Sequence, residues 1–171
     1  WLLASQVDAL AIEADPISVE MVRSYRPANA YSALCLGSDS LSGTKEHCRW
    51  LPWYAALHGM QAVWCTAPFG GADSSEATVG LLPDGRPSSS FIEAVNAVSE
   101  LKSGLGTLLA TATRRPPGIA IYGSQASLYL NQIDPAGGGS RQAEAGFGKL
   151  LEHLALQYDF VSYAQAKQDK L

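Results

Sequence analysis

The chain has 171 residues, with 47% hydrophobic and 16% charged side chains, which excludes a disordered protein and predicts a packed core. Its net charge of −4, with no basic cluster beyond Arg114-Arg115, argues against a nucleic-acid surface. No apolar run approaches the ~20 residues that span a bilayer, so a membrane segment is not expected.

In chain order, strand and helix patterns alternate, which predicts an α/β protein with a parallel sheet. Val7 to Ala14 is a mostly apolar strand broken by Asp8 and Glu13. Asp15-Pro16 opens a helix, with Asp as N-cap and Pro at the first helical position, and the helix runs to about Tyr25. Arg26-Pro27 breaks it. A strand from Ala30 to Leu36 leads into the polar loop Gly37 to Thr44. Trp50, Trp53, Tyr54 and Leu57 then recur at helical spacing and Gly59 ends the helix. Pro52 belongs to that helix's first turn, or the helix bends there. Gln61 to Thr66 is a third strand, ending in a long loop with Pro68, Gly70-Gly71 and Pro83-Asp84-Gly85.

Ser90 and Glu93 read as a capping box for the longest helix, with Phe91, Val95, Val98, Leu101 and Leu105 along one face. Arg114 to Gly118 reads as a linker between two units, 1–113 and 114–171. The strand Ile119 to Tyr122 meets a Gly/Ser-rich loop. Ser140 then caps a helix with the apolar face Phe147, Leu150, Leu151 and Leu154, and Tyr158 to Tyr163 is the last strand.

Several chemistries find little support. Cys35, Cys48 and Cys65 fall on core elements and read as buried thiols; a metal site with His47 and His58 lacks zinc-knuckle spacing, so no metal is expected. Gly137-Gly138-Gly139-Ser140 reads as a flexible loop rather than a phosphate cradle. No cofactor is expected. Trp1-Leu2-Leu3-Ala4 carries no basic leader, and compartment stays open: reduced cysteines suit the cytoplasm, and a leader upstream is equally compatible.

The run Arg49-Trp50-Leu51-Pro52-Trp53-Tyr54-Ala55-Ala56-Leu57-His58-Gly59-Met60-Gln61-Ala62-Val63-Trp64 resembles the last helix–strand unit of beta-galactosidase-type glycoside hydrolases. Leu82-Pro83-Asp84-Gly85-Arg86-Pro87-Ser88 resembles that family's segment closing the barrel. Pro117-Gly118-Ile119-Ala120-Ile121-Tyr122-Gly123-Ser124 and Tyr158-Asp159-Phe160-Val161-Ser162 resemble the opening of its second domain. The resemblance implies the last strands of a (β/α)8 TIM barrel over 1–113, then the start of a Rossmann- or amidotransferase-like trimerisation domain over 114–171. Three barrel strands cannot close, and two strands with one helix bury too little for a core, so a fragment is expected.

The resemblance further implies hydrolysis of terminal glycosidic bonds by two carboxyl groups at the carboxyl ends of the strands, a carbohydrate substrate, and a trimer. The family's acid/base follows its fourth strand, which this chain does not contain, so the fragment alone is expected to be inactive. Its nucleophile, a Glu ending the seventh strand, would follow Leu36, where this sequence has Gly37-Ser38-Asp39. Asp39 is the nearest carboxylate, with Glu46 as the other candidate. Glu13 is a second catalytic candidate, inward-facing in phase with Ala9 and Ala11; an internal salt bridge would also explain it. Trp64 is expected to form the aromatic platform under the sugar, or else to pack at the barrel top. Asp15 and Phe69 are further substrate-binding candidates, although capping explains Asp15 and loop flexibility explains the glycines beside Phe69. The alternative is a non-catalytic carbohydrate-binding or assembly module on the same fold, for which the missing Glu is the clue. A free-standing flavodoxin- or amidotransferase-like domain lacks its Cys nucleophile elbow and its flavin phosphate loop.

Overall fold

The computed structural model describes residues 7–27, 30–37, 41, 44–65, 80–82, 84–112, 118–133 and 139–167. Within them the chain is mixed α/β with parallel sheets. Strands β1 (Ala9–Glu13), β2 (Tyr31–Leu36) and β3 (Ala62–Cys65) form one sheet in sequential order. Helix α1 (Pro16–Tyr25) connects the first pair and α2 (Lys45–Leu57) the second. Helix α3 (Ser89–Glu100) continues through a π-turn at Leu101–Leu105 into α4 (Gly106–Thr111). A second parallel sheet pairs β4 (Ala120–Gly123) with β5 (Asp159–Ser162), with α5 (Gln125–Ile133) and α6 (Ser140–His153) between them and α7 (Tyr163–Lys167) after β5.

Register decides which side of the first sheet is covered. Ile12, Leu34 and Val63 lie side by side across the sheet, and with Leu36 and Cys65 they pack against Val19 of α1 and Cys48, Leu51 and Ala55 of α2. Both connecting helices therefore sit on one face. The other face carries Ala9, Ala11 and Glu13 of β1, Tyr31, Ala33 and Cys35 of β2, and Ala62 and Trp64 of β3. None of these belongs to the core cluster.

Helix α1 has a second face. Ile17, Met21 and Tyr25 meet Tyr158, Phe160, Ile119 and Ile121 of the second sheet, so one ten-residue helix lies between the two sheets. At Gly148 of α6 this packing is close. A Cβ there would lie 2.4 Å from Ile17 Cδ1 and 2.8 Å from the Tyr158 hydroxyl.

Several local expectations are corrected. Asp15 caps α1 as expected, accepting from the Ser18 amide at 2.9 Å. The α3 cap is Ser88 rather than Ser90: its hydroxyl accepts from the Phe91 amide at 3.1 Å, and Ser90 is buried inside the helix. Helix α2 starts at Lys45 behind Thr44, so Pro52 is interior rather than in the first turn. Gly139, one residue before Ser140, occupies the α6 N-cap.

The first part of the stretch read as a Gly/Ser-rich loop after β4 is the helix α5, begun where the Ser124 hydroxyl accepts from the Ser127 amide at 3.2 Å; Gly137 and Gly138 lie outside the described residues. The helical faces also differ. Buried positions are Cys48, Leu51, Pro52, Tyr54 and Ala55 on α2, and Ser90, Ala94 and Ala97 on α3 followed by Leu101, whereas Trp50, Leu57, Val95, Leu105, Phe147, Leu150 and Leu154 are exposed. Small side chains on α3 let it lie close to α2, and dense packing outweighs the size of any single apolar residue.

Candidate functional site

Parallel register brings Glu13, Cys35 and Trp64 into one row across the open face. Each lies at or next to the carboxyl end of its strand. At the usual spacing of paired strands, Glu13 and Trp64 stand about 10 Å apart, with Cys35 between them. Trp64 is 60% exposed and Glu13 is exposed, while Cys35 is nearly covered. Behind the row the same face carries the small residues Ala9, Ala11, Ala33 and Ala62, with Tyr31 at its far end.

The row has an electrostatic character of its own. Burial, and then the Glu13 carboxylate, push the Cys35 thiol above its ordinary range. A thiol so placed stays protonated and serves as packing, because the thiolate is the nucleophilic form. The row thus offers one free carboxylate and one indole face. A glycosidase of either stereochemistry needs two carboxyl groups, about 5 Å apart for retention and wider for inversion. Asp39 and Phe69 lie outside the described residues. Asp15 lies two residues beyond Glu13, and its Oδ2 caps α1, taking both the Ser18 amide at 2.9 Å and the Ser18 hydroxyl at 2.7 Å. Glu46 is exposed in the first turn of α2, where its own backbone and then Thr44 hold its carboxyl below the ordinary range.

A second constellation lies on the helix-covered side of the sheet. Glu20 of α1 is only 1% exposed, and it binds Arg23 Nε at 2.8 Å, Arg23 Nη2 at 2.7 Å and the ring Nδ1 of His58. Arg23 also donates to the Tyr158 carbonyl at 2.7 Å and pairs with Asp159. Burial acts to raise the Glu20 pKa, but the hydrogen bond to His58 and the Arg23 charge outweigh it, and the carboxyl lies below its ordinary value. His58 reaches Glu20 because it caps α2, with its amide donating to the Tyr54 carbonyl at 3.0 Å and Gly59 turning the chain at φ +79°.

These residues were not singled out as a site from sequence. The available signal was a charged residue at position 20, three residues after Ile17 on the face of α1 that packs inward, with Arg23 three residues further on. His58, Tyr54 and Tyr158 join it only through tertiary contact. Among the described residues no group of three or more His, Cys, Asp or Glu side chains is arranged to hold a metal ion, and no helix is long and apolar enough to cross a membrane. No sequence family matches the chain, and no curated protein matches it.

Proposed function

We propose that this chain is part of a carbohydrate-processing (β/α)8 barrel of the beta-galactosidase type, with Glu13 and Trp64 facing the sugar. The observation that carries this reading is the one-sided sheet. Both connecting helices cover the face of Ile12, Leu34 and Val63, and the opposite face presents mostly small residues, with Tyr31 at its amino end and a carboxylate and an indole at its carboxyl-terminal rim. A doubly wound sheet is covered on both faces, whereas a barrel keeps its helices outside and its site at the carboxyl ends of the strands. The segment 114–171 is read as the start of a Rossmann- or amidotransferase-like unit on the strength of its parallel β4–β5 pair, and trimer formation belongs to the same proposal.

In this reading the Trp64 indole stacks on the C–H face of a sugar ring, and Glu13 accepts hydrogen bonds from its hydroxyls. Turnover requires two catalytic carboxyl groups; Asp39, which follows β2 in sequence, is assigned the nucleophile's place, and the resemblance gives the acid/base to the family's fourth strand. A second reading, sugar binding or assembly without hydrolysis, is favoured by one feature: Gly37-Ser38-Asp39 stands where a nucleophilic Glu would follow β2.

Calorimetric titration with galactose and a galactosyl disaccharide tests the binding that both readings share. Trp64→Ala and Glu13→Gln are each expected to weaken binding about tenfold, the equivalent of ~1.4 kcal/mol. Equal affinity in both variants and the parent chain would rule the row out as the sugar site. Loss of aryl-galactoside cleavage in Asp39→Asn of the barrel-complete protein, with sugar affinity retained, separates hydrolysis from binding alone.

A further inference from the structure

We propose that the cleft between α2 and the turn joining α6 to β5 binds a small organic ammonium ion, paired with the Glu152 carboxylate against the Trp50 indole. The cleft has a volume of about 440 Å³. That lies within the range of small-molecule sites, which favour junctions between packed units. It is on the helix-covered side of the first sheet, and Glu20 and His58 also line it.

One wall is a ladder of rings on α2. The Trp50 and Tyr54 centroids are 4.5 Å apart, and those of Tyr54 and His58 are 3.9 Å apart. Trp50 is 43% exposed, so part of its indole surface is open. The other wall carries Glu152 at the end of α6. Two hydroxyls from distant parts of the chain, those of Tyr54 and Tyr158, donate to the same Glu152 oxygen, Oε1, at 3.2 Å each. Burial, and then the Glu152 charge, raise both phenols above their ordinary range, so they remain protonated donors. The carboxylate is therefore fixed in orientation by two hydroxyl donors.

The sign of charge selects the ligand. Neither Lys nor Arg is among the described lining residues, and the nearby Arg23 guanidinium is engaged with Glu20, Asp159 and the Tyr158 carbonyl. Glu20 is compensated by Arg23, so the Glu152 carboxylate beside the exposed indole sets the sign of the cleft. That pairing suits a cation whose charge meets both a carboxylate and an aromatic face. Leu57 and Leu156 line the same space and would contact an apolar body attached to that cation.

Benzylammonium and its neutral counterpart benzyl alcohol make the test, titrated calorimetrically into the whole chain. Saturable millimolar binding of benzylammonium is expected, with benzyl alcohol at least about tenfold weaker. Glu152→Gln keeps an acceptor for both tyrosines and should cost roughly tenfold in benzylammonium affinity; Trp50→Leu should weaken it as well. Equal affinities for amine and alcohol, an unchanged affinity in Glu152→Gln, or no saturable binding of the amine would overturn the proposal. Sugar affinity at the Glu13–Trp64 row should be the same in Glu152→Gln, so this inference and the carbohydrate reading fail separately.

Discussion

Arg23 donates to the carbonyl of Tyr158 at 2.7 Å across a sequence separation of 135 residues. The same guanidinium holds Glu20 within α1 and pairs with Asp159 at the start of β5, so one side chain ties the helix to the second sheet. Arg23→Ala removes these bonds and leaves Glu20 buried with His58. An expected cost of about 3 kcal/mol follows from stranding a buried carboxylate, and urea denaturation measures it. A change below ~1 kcal/mol would mean that the cluster is a solvated pair with little structural weight.

Acid should weaken the same cluster. The folded-state pKa of Glu20 lies below its ordinary value of 4.5, so its contribution is present above that pH and is lost as pH falls through the lower, folded-state value. The groups facing it are Arg23 on its own helix, His58 on α2, and Tyr54 and Tyr158, whose raised phenol pKa values keep them neutral throughout this range. The stability gap between the parent chain and Glu20→Gln is therefore expected to shrink below about pH 4.5. Melting temperatures for the two proteins from neutral to acidic pH provide the check; a gap independent of pH would contradict the charged assignment.

Gly148→Ala tests the contact between α6 and α1. The new methyl would meet Ile17 Cδ1 and the Tyr158 hydroxyl, so a loss of about 1–3 kcal/mol is expected from overpacking. Ile17→Val removes the closer of those atoms. Part of the Gly148→Ala penalty should return in the double variant, which denaturant melts in a double-mutant cycle would detect.

Asp15→Ala should destabilise by about 1 kcal/mol through loss of the α1 cap. Galactoside affinity should stay unchanged, because the carboxylate accepts from Ser18 as the α1 cap. A fall in affinity without a fall in stability would instead make Asp15 a sugar ligand.

Much of the backbone plan was readable from local pattern. Asp15-Pro16 fixed the start of α1, and apolar runs located all five described strands within a few residues. Helix faces were read less well, for a physical reason. Large apolar residues such as Val95 and Phe147 suggest a buried stripe, yet Ala94, Ala97 and Gly148 are the positions that permit close approach, and the helices turn those inward. The phase of Ala9, Ala11 and Glu13 was legible because strand alternation has a strict period of two. That Cys35 and Trp64 share a row with Glu13 depends on inter-strand register, which no single strand encodes. The Glu20–His58–Tyr158 cluster was hidden for the same reason, since its members are remote in sequence and meet only when α1 is packed between the sheets.

The most direct measurement of the central claim is the Trp64 indole N–H resonance, assigned by its loss in Trp64→Phe and followed during titration with a galactoside. A saturable shift of that signal, abolished or weakened about tenfold in Glu13→Gln, is the expected result. A Trp64 resonance that stays fixed while the sugar binds elsewhere, or while no binding occurs, would contradict the assignment of the open sheet face as a carbohydrate site.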